Sequence, residues 1–146
     1  MIHKILHPTD FSESSHWAMQ WACHLAQLWK APLLIVHIAP PPVVVHGEIF
    51  TEQNNAEHLQ LLREQLDNLS LPSPDLHAER LLTMGDPTHE VVKLAKDHHV
   101  SLIVMGTHGR TGLRRFLLGS VAEHVVREAH CAVLTVKSPL ELSGGK

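Results

Sequence analysis

Short, nearly continuous apolar runs constrain the fold of this 146-residue chain more than any other feature of its sequence. Leu33–Ile38 and Leu102–Met105 show no strict alternation of apolar and polar residues, and Ala132–Val136 is rich in β-branched residues. Strands of this kind are typically covered by helices on both faces, as in parallel sheets. The sequence therefore predicts a parallel sheet buried between two layers of helices.

Segments with the apolar spacing of helices separate these runs. Glu13–Trp29 has such spacing, and Asp86 followed by Pro87 is typical of a helix cap with proline at the first helical position. With a first strand at Ile2–His7 and a third, edge strand at Leu76–Met84, the order of elements is βαβαβαβαβ. Crossovers of this length require right-handed connections. We expect a doubly wound α/β fold: a five-stranded parallel sheet in strand order 3-2-1-4-5, with helices on both faces.

Further expectations concern the second helix, the surface and the core. Pro40–Phe50 contains proline and glycine and has little helical period, so it should be a surface loop. Trp17, Trp21 and Trp29 extend the apolar stripe of the first helix, where burial is the default. The second helix is predicted from leucines at helical spacing, which are Leu59, Leu62, Leu66 and Leu69.

Length and composition limit the class of protein. A chain of 146 residues with 44% hydrophobic content is suited to one core, so we expect a single domain spanning residues 1–146. The net charge of -3 gives no general attraction to nucleic acid or anionic lipid. Cys23 and Cys131 form no paired motif, and no apolar run is long enough for a signal peptide or membrane span. We expect a soluble, cytoplasmic protein that binds no nucleic acid and does not insert into membranes.

The segment between the fourth strand and the fourth helix is typical of an anion-binding loop. Gly119-Ser120 opens a helix whose first N–H groups have no partner within the helix, and such amides bind phosphate. The segment lacks a Walker A pattern, and no GxGxxG follows the first strand. Its glycines and arginines, which allow close backbone approach and add local positive charge, are Gly106, Gly109, Gly112, Arg110, Arg114 and Arg115.

The same segment has a second interpretation, and so does each candidate side chain. Ser120-x-x-Glu123 matches a capping box, which would satisfy backbone donors without any ligand. Asp10, after the first strand, could ligate Mg²⁺ through its oxygens, or it could organise the helix start beside Ser12. His108 could contact phosphate when protonated, or be a solvated loop residue. The fourteen histidines form no compact ligand pattern, so no dedicated zinc site is expected.

These residues resemble the universal stress protein family, whose glycine signature is G-x2-G-x9-G-(S/T). Gly106, Gly109, Gly119 and Ser120 match it with the correct spacing. The resemblance covers nearly the whole chain, and the other similar segments are residues 8–12, 36–38, 85–87 and 131–136.

The resemblance implies a nucleotide-binding member of the family, which binds ATP or ADP, often with Mg²⁺ for which Asp10 is the candidate ligand. It also implies a homodimer that pairs through its last strand, Ala132–Val136. Carried over by position, the adenine and ribose would lie against Pro8, Thr9, Asp10 and Ile38. The ribose and phosphates would be bracketed by Met105, Gly106, Thr107, His108, Gly109 and Arg110, and the phosphate tail held by Gly119, Ser120 and Val121.

The leading hypothesis is therefore a stress-response regulatory protein that acts as a nucleotide-dependent switch or a dimeric binding module. The alternative is a slow ATPase or nucleotidyl-transfer enzyme, for which only Asp10 and His108 are candidate bases near the phosphates. A purely structural dimer is a third possibility. A response-regulator receiver domain is disfavoured because its acidic pair at the strand ends is missing.

Overall fold

The computed structural model describes residues 1–41, 43–45, 48–50, 55–108 and 118–139. The elements in chain order are β1 (Ile5–Pro8), α1 (Glu13–Trp29), β2 (Leu33–Ala39), β3 (Val43–Val45), β4 (Glu48–Phe50), α2 (Asn55–Asp67), β5 (Ala78–Met84), α3 (Pro87–Asp97), β6 (Leu102–Gly106), α4 (Ser120–Glu128) and β7 (Ala132–Val136).

Five strands form one parallel sheet in the order β5-β2-β1-β6-β7. At its centre Ile5 of β1 lies opposite Leu33 of β2 and Leu102 of β6. Numbered along the chain within this sheet, the strand order is 3-2-1-4-5, so the predicted fold class is confirmed. β5 lies at an edge, as its charged residues indicated, and β1 begins at Ile5, three residues later than expected.

Successive residues of each strand contact different layers of helices. Ile5 belongs to a core cluster with Ala22 of α1 and Leu66 of α2, whereas Leu6 belongs to a second cluster with Val91 of α3 and Val125 of α4. Side chains alternate between the two faces of a strand, so both faces of β1 are buried. This two-sided burial is the reason why the strands are continuously apolar.

The inner face of α1 consists mostly of small side chains, and the predicted burial of its tryptophans is wrong. Trp17, Trp21 and Trp29 are 38%, 51% and 45% exposed. Alanine side chains let the helix lie close to the sheet, so larger side chains are displaced to the neighbouring, outer stripe. The buried residues of the helix are Ser15, Ala18, Met19, Ala22, Cys23 and Ala26.

The segment predicted as a surface loop contains a second, two-stranded sheet. β3 and β4 pair in antiparallel register, with Val43 opposite Phe50 and Val45 opposite Glu48. Three successive valines favour a strand, and a separation of two residues that includes a glycine is typical of a hairpin. These two signals outweigh the prolines that precede β3.

A cation from the edge strand binds the end of α2. The helix ends at Asp67, before the predicted Leu69. The guanidinium of Arg80 donates hydrogen bonds to the carbonyls of Leu66 at 2.8 Å and Leu69 at 3.0 Å, and also to that of Asp67. Cations stabilise helix C-termini because they satisfy the last carbonyls and complement the dipole. Arg80 therefore fixes α2 to β5.

The two cysteines lie in different environments. Cys23 lies on the inner face of α1 and is fully buried, and burial raises the pKa of its thiol to about 11. Cys131 is partly exposed, and burial raises the pKa of its thiol as well. Within the described ranges, no helix combines the length and apolar content needed to cross a membrane.

Candidate functional site

A cavity of about 240 Å³ lies at the C-terminal ends of β1, β2 and β6, beside the first turns of α3 and α4. β1 contacts β2 on one side and β6 on the other, so the chain connections diverge at this point. Crevices at such a switch point are where doubly wound folds bind ligands. All predicted site residues within the described ranges line this cavity: Pro8, Thr9, Asp10, Ile38, Met105, Gly106, Thr107, His108, Gly119, Ser120 and Val121. Gly109 and Arg110 lie outside the described residues, as do Gly112, Arg114 and Arg115.

The turn between β1 and α1 forms one wall of the cavity. The Oδ1 atom of Asp10 accepts a hydrogen bond from the Ser12 amide at 2.9 Å, and Oγ1 of Thr9 accepts one from the Phe11 amide at 3.1 Å. Ser12 is the N-cap of α1, and its hydroxyl accepts from the Ser15 amide. Asp10 therefore organises the helix start, as one of its two interpretations predicted, and it also lines the cavity.

The side chain of His37 in β2 binds this turn. Its Nδ1 atom donates to the Thr9 carbonyl at 2.7 Å, and its ring lies 4.5 Å from the ring of Phe11. Phe11 has a φ of 63°, a left-handed conformation that is rare for a bulky residue and persists only when its surroundings impose it. The buried imidazole of His37 therefore positions the wall that contains Thr9 and Asp10.

The opposite wall begins at the end of β6. A Cβ atom built on Gly106 would overlap Oγ of Ser14 and lie 3.0 Å from the Ser14 carbonyl carbon and oxygen. The first turn of α1 thus approaches β6 so closely that only glycine fits. Next along the chain, the carbonyl of the buried Thr107 accepts a hydrogen bond from the Gly119 amide at 2.7 Å. This bond joins the end of β6 to the start of α4.

The first turn of α4 presents backbone amides to the cavity. Gly119 is the N-cap, and the Glu123 amide donates to its carbonyl at 2.9 Å. The capping-box interpretation is therefore wrong, because Ser120 is the first helical residue and the Glu123 amide is already bonded. The amides of the first three helical residues, Ser120, Val121 and Ala122, have no partner within the helix. All three residues line the cavity, where the helix dipole favours an anion.

The other part of the cavity is apolar. Val36 and Ile38 of β2, Pro87 and Val91 of α3, and Met105 of β6 line it. The cavity can therefore accept a ligand with an anionic group at one end and an apolar group at the other.

Five lining residues were not predicted from the sequence. Two of them had a usable signal: Val36 shares a strand face with Ile38, and Val91 lies one helical turn after Pro87. For the others no sequence signal is evident, because they reach the cavity only through tertiary packing; they are Ser15, Pro87 and Ala122.

His7, in β1 just before the cavity, is fully buried. Its Nδ1 atom donates to the Val104 carbonyl at 2.8 Å, and its Nε2 atom has no hydrogen-bond partner in the described part of the chain. Burial lowers the pKa of His7 to about 4, because desolvation outweighs the opposing effects of the Val104 carbonyl and the Asp10 charge. His7 is therefore a neutral imidazole at physiological pH.

At the start of α3, Asp86 accepts hydrogen bonds from the hydroxyl and amide of Thr88, and these lower the pKa of the Asp86 carboxyl. The ring of His89 packs edge-on against that of His124, with centroids 4.9 Å apart. Among the described residues, no three His, Cys, Asp or Glu side chains are grouped so that they could hold a metal ion.

A doubly wound five-stranded sheet with a cavity at its switch point places the chain among the Rossmann-like α/β proteins. More particularly, the chain belongs to the universal stress protein family, whose family model matches residues 1–137. The resemblance seen in the glycine signature is thereby confirmed at the level of the family.

Individual relatives support the same assignment. The chain is 36% identical to the universal stress protein MJ0531 of Methanocaldococcus jannaschii over 142 residues, which cover 93% of this chain and 82% of the relative. The solved structure of MJ0577 from the same organism has a TM-score of 0.76 at 33% identity, covering 94% of this chain and 97% of that chain. A universal stress protein in complex with cAMP has a TM-score of 0.68 at 28% identity, covering 93% and 97%.

Proposed function

We propose that this protein is a cytoplasmic regulatory protein of the stress response that binds ATP or ADP in the cavity at the switch point. Occupancy of the cavity would then act as a switch, or favour a dimeric binding module. The observation that carries the proposal is the two-part lining: amides of the α4 N-terminus at one end and apolar side chains of β2 and α3 at the other. The cAMP complex of a related protein supports an adenine nucleotide as the ligand class.

The lining suggests how the nucleotide would be oriented. The adenine would pack against Ile38 and Val91, where a flat apolar group replaces water. The phosphates would lie at the first turn of α4, with Gly109 and Arg110 completing the contacts that the family signature implies. The volume of about 240 Å³ is below the roughly 300 Å³ at which ligand pockets usually begin, so the phosphates would extend to the mouth of the cavity.

Asp10 is the candidate ligand for a Mg²⁺ ion that accompanies the nucleotide. Its carboxylate lines the cavity and supplies the hard oxygen donor that Mg²⁺ prefers. In nucleotide sites this ion usually keeps several waters and binds phosphate oxygens, so a single protein carboxylate is sufficient.

Isothermal titration with ATP, ADP, GTP and adenosine, each with and without Mg²⁺, tests the proposal. We expect ATP and ADP to bind, adenosine to bind at least about tenfold more weakly because it lacks the phosphate contacts, and GTP to be discriminated against. Mass spectrometry of small molecules released on denaturing the purified protein identifies any nucleotide carried from the cell. Absence of heat with both ATP and ADP, at millimolar ligand and with Mg²⁺ present, would falsify the proposal.

An enzymatic role, as a slow ATPase or nucleotidyl-transfer enzyme, would also depend on the carboxylate of Asp10 in the cavity. Asp10→Asn keeps an oxygen that can accept from the Ser12 amide, so the turn should persist. Multiple turnover by the wild type that disappears in Asp10→Asn, with nucleotide affinity retained, would favour the enzyme over the binding module.

We also propose a homodimer in which β7 pairs with a second copy. β7 is an edge strand, and its residues Ala132–Val136 contain no charged side chain that would discourage pairing. Lys substituted for Thr135, the fourth of the five residues of the strand, should weaken such a dimer in sedimentation experiments. An unchanged dimer in Thr135→Lys would argue against β7 as the interface.

A further inference from the structure

The outer side of α1 carries an apolar surface that the cavity does not use. Trp17, Trp21 and Leu28 lie on one stripe of the helix and are 38%, 51% and 64% exposed. From the size of these side chains, they present about 350 Å² of apolar surface, within the range of roughly 300–600 Å² of the largest patch on a typical monomer. We call these three residues the α1 outer face. Patches of this size are often functional sites.

The charge pattern of α1 indicates what kind of partner this face fits. From Ser14 to Trp29 the helix contains no Asp, Glu, Lys or Arg. An interfacial membrane helix would carry Lys or Arg on its polar face, so a lipid surface is disfavoured. A helix without charges can pack against another uncharged surface without leaving an unpaired charge at the contact.

The spacing of the exposed residues is self-complementary. Trp17, Trp21, His24 and Leu28 follow one another at intervals of four, three and four residues, which is the seam of a helix pair. These intervals read the same in both directions. An antiparallel copy therefore places Trp17 opposite Leu28 and Trp21 opposite His24, so that each large indole meets a smaller side chain.

We propose that the α1 outer face docks on the same face of a second copy, with the two helices antiparallel about a two-fold axis between Trp21 and His24. The three apolar side chains supply about 40% of the roughly 800 Å² that each partner buries in a standard interface. Exposed polar neighbours such as His16 and Gln27 supply further surface around them. The opposite side of α1 packs on the sheet, so this contact is separate from both the β7 edge and the cavity between the α3 and α4 starts. The proposal does not depend on nucleotide binding.

Intrinsic fluorescence reports on α1 alone, because the chain has three tryptophans, all in this helix and two of them on its outer face, and no tyrosine. On dilution of the wild type from hundreds of micromolar to below one micromolar, we expect the emission to shift to the red as the indoles become hydrated. The shift should coincide with a twofold fall in mass by analytical ultracentrifugation. An emission spectrum and a mass that do not depend on concentration would overturn the proposal.

A matched pair of variants separates this face from general surface effects. Leu28→Glu and Leu61→Glu replace leucines that are 64% and 63% exposed, on α1 and α2 respectively, and both keep all three tryptophans. We expect Leu28→Glu to weaken association at least about tenfold and to give red-shifted emission at every concentration, whereas Leu61→Glu behaves as the wild type. Trp21→Glu should act like Leu28→Glu on mass. Equal effects of Leu28→Glu and Leu61→Glu on association, or no effect of Leu28→Glu, would contradict an α1 interface. Urea unfolding verifies that each variant folds.

Discussion

The two faces of the sheet are built from the same strands but are packed in different ways. On one face α1 lies close to β1 and β6, since its inner residues are small and Gly106 has no Cβ atom that would collide with Ser14. We call this the closed face. On the other face, which we call the open face, the first turns of α3 and α4 leave a cavity of about 240 Å³ at the ends of the strands.

The composition of the strands determines the sheet, whereas the size of the helix side chains determines where space remains beside it. Both faces receive apolar residues from every strand, so the sheet itself does not distinguish them. The closed face is expected to be intolerant of added volume or charge, and the open face tolerant of added volume. The following four predictions test this contrast.

The largest effect should come from acid, through His7 on the closed face. Its folded pKa is about 4 against 6.5 in the unfolded chain, so the unfolded chain binds a proton first as the pH falls. The free energy of unfolding is therefore unaffected by His7 above pH 6.5 and decreases as the pH falls from 6.5 to about 4. At 1.36 kcal/mol per pKa unit, the total decrease is about 3 kcal/mol. Urea unfolding at a series of pH values measures this dependence. His7→Gln should flatten it, and His77→Gln, which removes an imidazole at an exposed position, is the matched control. Equal slopes in His7→Gln and the wild type would contradict the assignment.

The same substitution on opposite faces should have opposite outcomes. Ala22 and Ala122 are 0% and 2% exposed, but only Ala122 lines the cavity. Ala22→Leu overpacks the closed face and should lower the free energy of unfolding by about 2 kcal/mol. Ala122→Leu can extend into the cavity, so it should change stability by less than about 0.5 kcal/mol and block nucleotide binding. Thermal and urea unfolding of both variants, together with ATP titration of Ala122→Leu, measure these effects. Equal losses of stability in the two variants would contradict the prediction.

Gly106 and Ser14 should be energetically coupled. Gly106→Ala forces the first turn of α1 away from β6 and should lower the free energy of unfolding by about 1.5 kcal/mol. Removing the Ser14 hydroxyl in Ser14→Ala should recover part of that loss in the double variant, with a coupling of at least about 0.5 kcal/mol. A double-mutant cycle in urea measures the coupling. Strict additivity would mean that the two residues do not limit each other's packing.

The smallest effect on stability, with the clearest effect on binding, should come from Val121 on the open face. Val121→Asp places a carboxylate in the first turn of α4, where it stabilises the helix by about 0.5 kcal/mol while repelling phosphate. We expect ATP affinity to fall about tenfold, or about 1.4 kcal/mol, and less in the uncharged control Val121→Asn. Titration at two salt concentrations tests this, because added salt should narrow the difference between the variants. If both variants bind ATP equally, the phosphates do not lie at α4.

The sequence contains enough information for the sheet and for most of the candidate site. The apolar runs identified the buried strands, and Glu13–Trp29 was predicted with its observed bounds because Ser12 caps it and Pro32 follows it. The strand ends and the glycine signature identified residues that lie far apart in the chain and meet at the cavity. Fold and signature together explain this success, since ligands of doubly wound sheets bind where strands end.

Three features were predicted wrongly because the sequence contains two competing signals at each of them. The two stripes of α1 are both apolar, and only packing against the sheet shows that Ala22 faces inward and Trp21 outward. The pairing of β3 with β4 was obscured because proline and valine signals of opposite meaning adjoin in the sequence. Ser120 fits a capping box by spacing, and only the bond from the Glu123 amide to Gly119 places the cap one residue earlier.

The burial of Cys23 provides a chemical reporter of motion in the native protein. A thiol that is 0% exposed and has a pKa of about 11 reacts with an alkylating reagent only when α1 lifts off the sheet and the thiol ionises. Cys131, which is partly exposed, supplies an internal reference for reagent strength. The ratio of labelling rates at the two positions therefore measures how often the closed face opens, without any denaturant and without a change in sequence.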